Sequence, residues 1–106
     1  MPGFEVINSQ EKKAVSKIFD EGGVLIAHGL ENKRKKFYVR DFEKKCKIFF
    51  NSKYCLAVSS GTAAIKIALK SLDVKPGDEV ITQSFNFIAT IEAILDCGAK
   101  PIIANV

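Results

Sequence analysis

Leu56-Ala57-Val58-Ser59-Ser60-Gly61-Thr62-Ala63-Ala64-Ile65-Lys66-Ile67-Ala68-Leu69 is the stretch whose reading decides the fold of this chain. Leu56, Ala57 and Val58 form a short apolar run, Ser59 to Thr62 are small and polar, and from Ala63 onward the apolar residues take helical spacing. The pattern predicts a strand over 54–58, a tight turn and a helix over 62–72. A helix that starts directly after a strand presents unpaired backbone N–H groups and the positive end of its macrodipole to whatever lies beyond the strand. Two readings follow from these residues alone. Ser60 or Thr62 caps an ordinary helix, or the hydroxyls and the Cβ-free Gly61 make room for a phosphate oxygen at the helix start.

Downstream, the same alternation repeats. Lys75-Pro76-Gly77-Asp78 has the composition of a turn, with Pro76 presetting φ and Gly77 supplying a positive φ. A strand over 79–82 then leads through Gln83-Ser84-Phe85-Asn86 into a helix over 87–95, with Ile88, Ile91, Ile94 and Leu95 as its core side and Gly98 as its end. Residues 101–106 read as a third strand. Along the helix over 62–72, Ala64, Ile67, Ala68 and Leu72 are expected to face the core, and Lys66 and Lys70 the solvent.

Upstream, Ser9 is read as the cap of a helix over 10–21 with an apolar stripe of Ala14, Val15, Ile18 and Phe19, stopped by Gly22-Gly23. Between 24 and 36 periodicity is lost, and Val24-Leu25-Ile26 is expected to anchor an exposed loop that carries Lys33-Arg34-Lys35-Lys36. A second helix over 39–50 follows from Val39, Phe42, Cys46 and Phe49, and Asn51 suits the left-handed position at its end.

Composition excludes several function classes. The 106 residues, 47% hydrophobic and 26% charged, describe one ordinary globular domain rather than a disordered chain. The net charge of +4 comes largely from the 33–36 run, which lacks the interleaved aromatic residues of a nucleic-acid surface and reads as a solvated loop, so no nucleic-acid partner is expected. Cys46, Cys55 and Cys97 are three cysteines at wide spacing with His28 as the one histidine, so neither a disulfide framework nor a metal site is expected, and the thiols read as small core residues in a reducing compartment. No targeting segment and no apolar run of membrane-spanning length is present, so a cytoplasmic protein without a membrane partner is expected.

The fold class expected is therefore α/β: a βαβαβ parallel sheet over 54–106, preceded by a segment over 1–53 with two helices and the basic loop. Both strand-to-helix junctions, Ser59 to Thr62 and Ser84 to Phe87, should open on one edge of the sheet, where α/β proteins hold ligands. One junction offers hydroxyls and backbone amides. The other offers Phe85, Asn86 and Phe87, either as core rings or as a surface on which a planar ligand stacks.

At this point a resemblance enters. Ser60-Gly61-Thr62-Ala63-Ala64, Lys75-Pro76-Gly77-Asp78-Glu79-Val80-Ile81, Ser84-Phe85-Asn86-Phe87-Ile88-Ala89-Thr90 and Gly98-Ala99-Lys100-Pro101 resemble, in order and spacing, blocks of the DegT/DnrJ/StrS sugar-nucleotide aminotransferases, pyridoxal phosphate enzymes of the aspartate-aminotransferase fold. The segment up to Arg40-Asp41-Phe42-Glu43 resembles the family's N-terminal part. The resemblance implies that Gly61, Thr62 and Ala63 hold the cofactor phosphate, that Phe87 stacks on the pyridine ring and that Thr90 lines the same pocket. It implies a sugar-nucleotide substrate, an amino donor and a homodimeric parent. It also implies that the Schiff-base lysine and the acid that pairs with the pyridine nitrogen lie beyond the matched segment, so no catalytic residue is expected here and this chain alone is not expected to transaminate. Two expectations are carried forward: an N-terminal piece of a sugar aminotransferase, or a free-standing non-catalytic module that binds a phosphorylated ligand or an intact aminotransferase subunit.

Overall fold

The computed structural model describes residues 3–105, which divide into two compact units, one ending at Ala57 and the other starting at Val58. In the first, a short 3-10 turn over Phe4–Val6 precedes α1, Ser9–Asp20, and a long loop leads to α2, Tyr38–Phe49. The second contains α3, Gly61–Ser71; β1, Glu79–Gln83; α4, Ala89–Leu95; and β2, Lys100–Ala104.

Helices α1 and α3 start on a side-chain cap, and each α-helix stops for a local reason. The cap of α1 is Asn8, one residue before the expected Ser9: its Oδ1 accepts from the Gln10 N–H at 2.9 Å, and its own N–H donates to Glu11 Oε2 at 2.8 Å. Sequence alone cannot choose between two adjacent capping residues, but the reciprocal Glu11 contact can. All four α-helices close with the same pair of backbone bonds across a residue of positive φ. Gly22 (φ 111°) ends α1, Asn51 (φ 48°) ends α2, Asp73 (φ 60°) ends α3 and Gly98 (φ 78°) ends α4. At α3, for example, the Asp73 N–H donates to the Lys70 carbonyl and the Val74 N–H to the Leu69 carbonyl, both at 3.1 Å. Gly22, Asn51 and Gly98 match the expected ends, whereas Asp73 carries no glycine-like signal and was not anticipated.

The 75–78 turn forms as its residues require, with Gly77 at φ 97° and the Asp78 N–H donating to the Lys75 carbonyl at 3.1 Å. From there β1 pairs in parallel with β2, Ile81 opposite Ile102, and Glu79 Oε1 meets Lys100 Nζ at 3.1 Å across the first register pair.

One expected element is missing. Among the described residues no strand forms over 54–58, and the sheet has two strands, not three. The Ala57 N–H, which a ladder would use, donates to the Glu43 carboxylate at 2.9 Å. A parallel strand exists only by pairing, and this segment has α2 beside it instead.

Burial also departs from the expected stripes. Among the described residues the core consists of Ala89, Ala93 and Ile94 from α4, with Cys97 and Ala99 from the turn that joins α4 to β2. On α4 the inward line therefore runs through the alanines, leaving Ile88 and Leu95 more than half exposed. On α3, Ile65, Lys66 and Leu69 are half-buried, while Ala64, Ile67, Ala68 and Leu72 face outward, opposite to the expectation. Helix α3 is apolar nearly all round, so periodicity could not tell which side meets α4. In the first unit Val15, Phe19, Phe42 and Phe49 are likewise exposed, and Leu25 and Ile26 do not anchor their loop.

Arg34 does so instead. Its guanidinium donates to the Ile26 and Ala27 carbonyls and lies 4.3 Å from the centroid of Phe37, whose ring also carries Arg40 at 4.6 Å. The basic run is thus only partly a solvated stretch: Lys33, Lys35 and Lys36 are exposed, but Arg34 staples the loop.

Candidate functional site

The start of α3 is built by Ser60. Its backbone is extended (φ −162°, ψ 165°), and its Oγ accepts from the Ala63 N–H at 3.1 Å, so Ser60 rather than Thr62 is the cap. The Ala64 N–H donates to the Ser60 carbonyl at 3.0 Å. Among the described residues the backbone N–H groups of Gly61 and Thr62 have no protein acceptor, so two donors remain available at the positive end of the helix. No acidic side chain lies in the first turn to compete for them.

Gly61 opens the first turn of α3. Its φ is not positive, so no backbone strain demands glycine there; a Cβ would instead project into open space with nothing within 4 Å. The absence of a side chain leaves that approach clear, which is what a phosphate needs to reach the amides. Thr62 and Ala63 are half-buried beside it.

Topology brings the second junction to the same edge. Helices α3 and α4 pack against one another, and each leads through a short turn into a strand of the same parallel pair. Both helix C-termini therefore lie at the strands' starting edge, and both N-termini at the finishing edge, beyond Gln83. There Asn86 Oδ1 accepts from the Phe87 N–H at 2.8 Å, and the Thr90 N–H donates to the Phe87 carbonyl at 3.1 Å. These bonds form a turn that holds the Phe87 ring out at 76% exposure, with Phe85 at 89%. Neither ring is in the core. Thr90, half-buried, follows on the first turn of α4.

Lys66 does not offer a nucleophilic amine. Its Nζ is 2.7 Å from Asp96 Oδ2, and that hydrogen-bonded carboxylate pushes the lysine pKa up, keeping the ammonium protonated. Nothing in the sequence marks this pair, which spans thirty positions and exists only because α3 packs on α4. His28, in the first unit, accepts at Nδ1 from Arg40 Nε at 3.4 Å.

Comparison with known proteins settles the family. A sequence profile of the DegT/DnrJ/EryC1/StrS aminotransferase family matches residues 7–106, almost the whole chain. The chain belongs to the DegT/DnrJ/EryC1/StrS aminotransferase family. Within that family it is 40% identical over 68 residues to the UDP-2-acetamido-2-deoxy-3-oxo-D-glucuronate aminotransferase of Pseudomonas aeruginosa, covering 64% of this chain and 19% of that protein. Against the GDP-perosamine synthase of Vibrio cholerae it is 32% identical over 100 residues, covering 94% and 25% respectively. Among solved structures it superposes on the aminotransferase from Psychrobacter cryohalolentis with a TM-score of 0.80 at 34% identity, over 99% of this chain and 24% of that one. With ntda from Bacillus subtilis, which holds bound cofactor PMP, the TM-score is 0.72 at 33% identity, over 92% and 21%. The chain thus spans about a fifth to a quarter of the length of these DegT/DnrJ/EryC1/StrS relatives.

Proposed function

We propose that this chain is the N-terminal piece of a pyridoxal phosphate-dependent aminotransferase that acts on a keto-sugar nucleotide, and that residues 54–106 are the first part of its cofactor-binding large domain, with residues 1–53 as a helical segment bearing the basic loop. The observation that carries the reading is the start of α3: two free amides, from Gly61 and Thr62, at a capped helix terminus on the sheet edge that also presents Phe87. The relatives' names, a UDP-keto-sugar aminotransferase and a GDP-perosamine synthase among them, support the substrate class.

In this reading Gly61, Thr62 and Ala63 hold the cofactor phosphate. The Gly61 and Thr62 N–H groups would be its donors, the Ala63 N–H already donates to Ser60 Oγ, and the helix dipole would favour the dianion. Phe87 supplies an exposed apolar face for the pyridine ring, and Thr90 lines the same pocket. Bound pyridoxal phosphate supplies an electron sink for carbanionic character at the substrate carbon. The chain's own residues bind and orient it; Lys66, tied to Asp96 as an ammonium, does not take the covalent role. The sugar nucleotide, the amino donor and a second copy in a homodimer are the partners we assign to the parent enzyme, in the cytoplasm, without nucleic acid or membrane. No helix among the described residues is long and apolar enough to cross a membrane.

The test is a titration of the full chain with pyridoxal phosphate and, separately, with pyridoxal, followed by amide chemical shifts. Shifts at Gly61, Thr62 and Ala63 that require the phosphate, together with ring-current shifts near Phe87 from both ligands, are expected. Equal perturbation of the three amides by unphosphorylated pyridoxal would overturn the assignment.

A further inference from the structure

Glu43, on α2, pins the segment that follows the helix. After α2 closes at Asn51, the Ser52 Oγ donates to the Tyr54 carbonyl at 3.0 Å, and the chain turns back until the Ala57 N–H reaches Glu43 Oε1 at 2.9 Å. Burial along the returning segment alternates: Tyr54 and Leu56 are 78% and 65% exposed, while Cys55 and Ala57 are half-buried. On the last three turns of α2 the half-buried positions are Val39, Arg40, Glu43 and Cys46, so Glu43 and Cys46, one turn apart, share the face that receives the segment. Ala57 meets Glu43. Cys55, two residues earlier in a segment running the opposite way, comes opposite Cys46.

We propose that Cys46 and Cys55 form a redox-sensitive pair whose closure to a disulfide clamps residues 54–57 onto α2. Burial pushes the Cys55 thiol up, the neighbouring Cys46 thiol and the Glu43 carboxylate push it further, and Lys47 opposes them weakly. In the resting state Cys55 is therefore a protonated thiol, and closure accelerates as pH rises because the thiolate is the attacking form. The chemistry balances with a small disulfide oxidant such as oxidised glutathione. One cysteine thiolate attacks it and releases one reduced glutathione; the second cysteine then displaces the other glutathione, forming the protein S–S bond as two thiols of the oxidant are regenerated. Cys97, 2% exposed within the second unit, is shielded from this exchange. The clamped segment leads directly in sequence to Ser59, Ser60 and Gly61.

The experiment equilibrates the full chain in graded mixtures of reduced and oxidised glutathione, traps free thiols by alkylation and maps tryptic peptides. Lys47 and Lys53 lie between the two cysteines, so a bridge appears as one linked pair of peptides. A 46–55 bridge with Cys97 still alkylatable after unfolding is expected. Because the two thiols are also near in sequence, the same equilibration in urea is the control: the native bridge should be favoured by roughly tenfold over the unfolded one, since the fold and not loop closure alone holds the thiols together. On oxidation, hydrogen exchange at the Ala57 amide should slow by a similar factor, and Cys46→Ser and Cys55→Ser should each abolish both effects. A native bridge no more stable than that in urea, or Cys97 pairing as often as Cys46, would overturn the proposal.

Discussion

Pro76 fills the space that a side chain on Gly98 would need: a Cβ built on Gly98 lies 2.7 Å from Pro76 Cγ. The contact joins the turn before β1 to the closure of α4 before β2, and so sets how the two parallel strands start level with one another. Gly98→Ala meets two penalties, the positive φ of 78° and this overlap. A loss of about 2–4 kcal/mol is expected in urea denaturation of the full chain. Set against Pro76→Ala as the reference, the Gly98→Ala cost should fall to about 1–2 kcal/mol, the backbone share alone.

Asp73 holds a left-handed conformation that glycine adopts without cost. Its Oδ2 also meets Lys75 Nζ at 3.3 Å, but both side chains are largely exposed and that pair contributes little. Backbone relief should therefore win, and Asp73→Gly should stabilise the chain by roughly 0.5–1 kcal/mol, read as a raised thermal midpoint. A lowered midpoint would show that the ion pair matters more than its exposure suggests.

Ser60 caps α3 through the Ala63 N–H. Replacing it by alanine removes the acceptor and should cost about 1 kcal/mol, whereas Ser60→Gly should cost only a few tenths. Chemical denaturation of both variants distinguishes this from a packing role, for which glycine would be the worse substitution.

Glu11 lies below the ordinary carboxylate range because it accepts from the Asn8 backbone N–H; the Glu11 backbone N–H adds to this and burial opposes it. A depressed folded-state pKa stabilises the fold above the unfolded value, near 4.5, and that contribution is lost as pH falls through the folded value. Helicity followed by circular dichroism should drop on acidification below 4.5 more steeply in the parent chain than in Glu11→Gln, which lacks the titrating group. Parallel acid profiles would refute the capping-box contribution.

Arg34 anchors the 24–36 loop with two backbone carbonyls and the Phe37 face. Lysine keeps the charge but cannot reach both carbonyls from one planar group, so Arg34→Lys should destabilise the first unit by about 1–2 kcal/mol. Faster hydrogen exchange confined to residues 24–36 is the measurement that checks it.

What could be read from residue order was whatever depends on neighbours within a few positions. The four helices, the Pro76-Gly77 turn, the ends at Gly22, Asn51 and Gly98, and the small-residue start of α3 all follow from spacing, capping chemistry and tolerance of positive φ, which act locally. The four ordered blocks from Ser60 to Pro101 pointed to the family, and the profile over 7–106 shows it. Partnering decided the rest. The segment ending at Ala57 lies along α2 and not in a strand because the Ala57 N–H donates to Glu43, and Arg34 is drawn from solvent by the Ile26 and Ala27 carbonyls and the Phe37 ring. Lys66 was turned from a free amine into one half of an ion pair by Asp96, thirty positions away. Local propensity chooses the elements, but a hydrogen bond or charge pair between distant residues has no periodic trace in the sequence, so only the tertiary structure decides which groups stay free for chemistry.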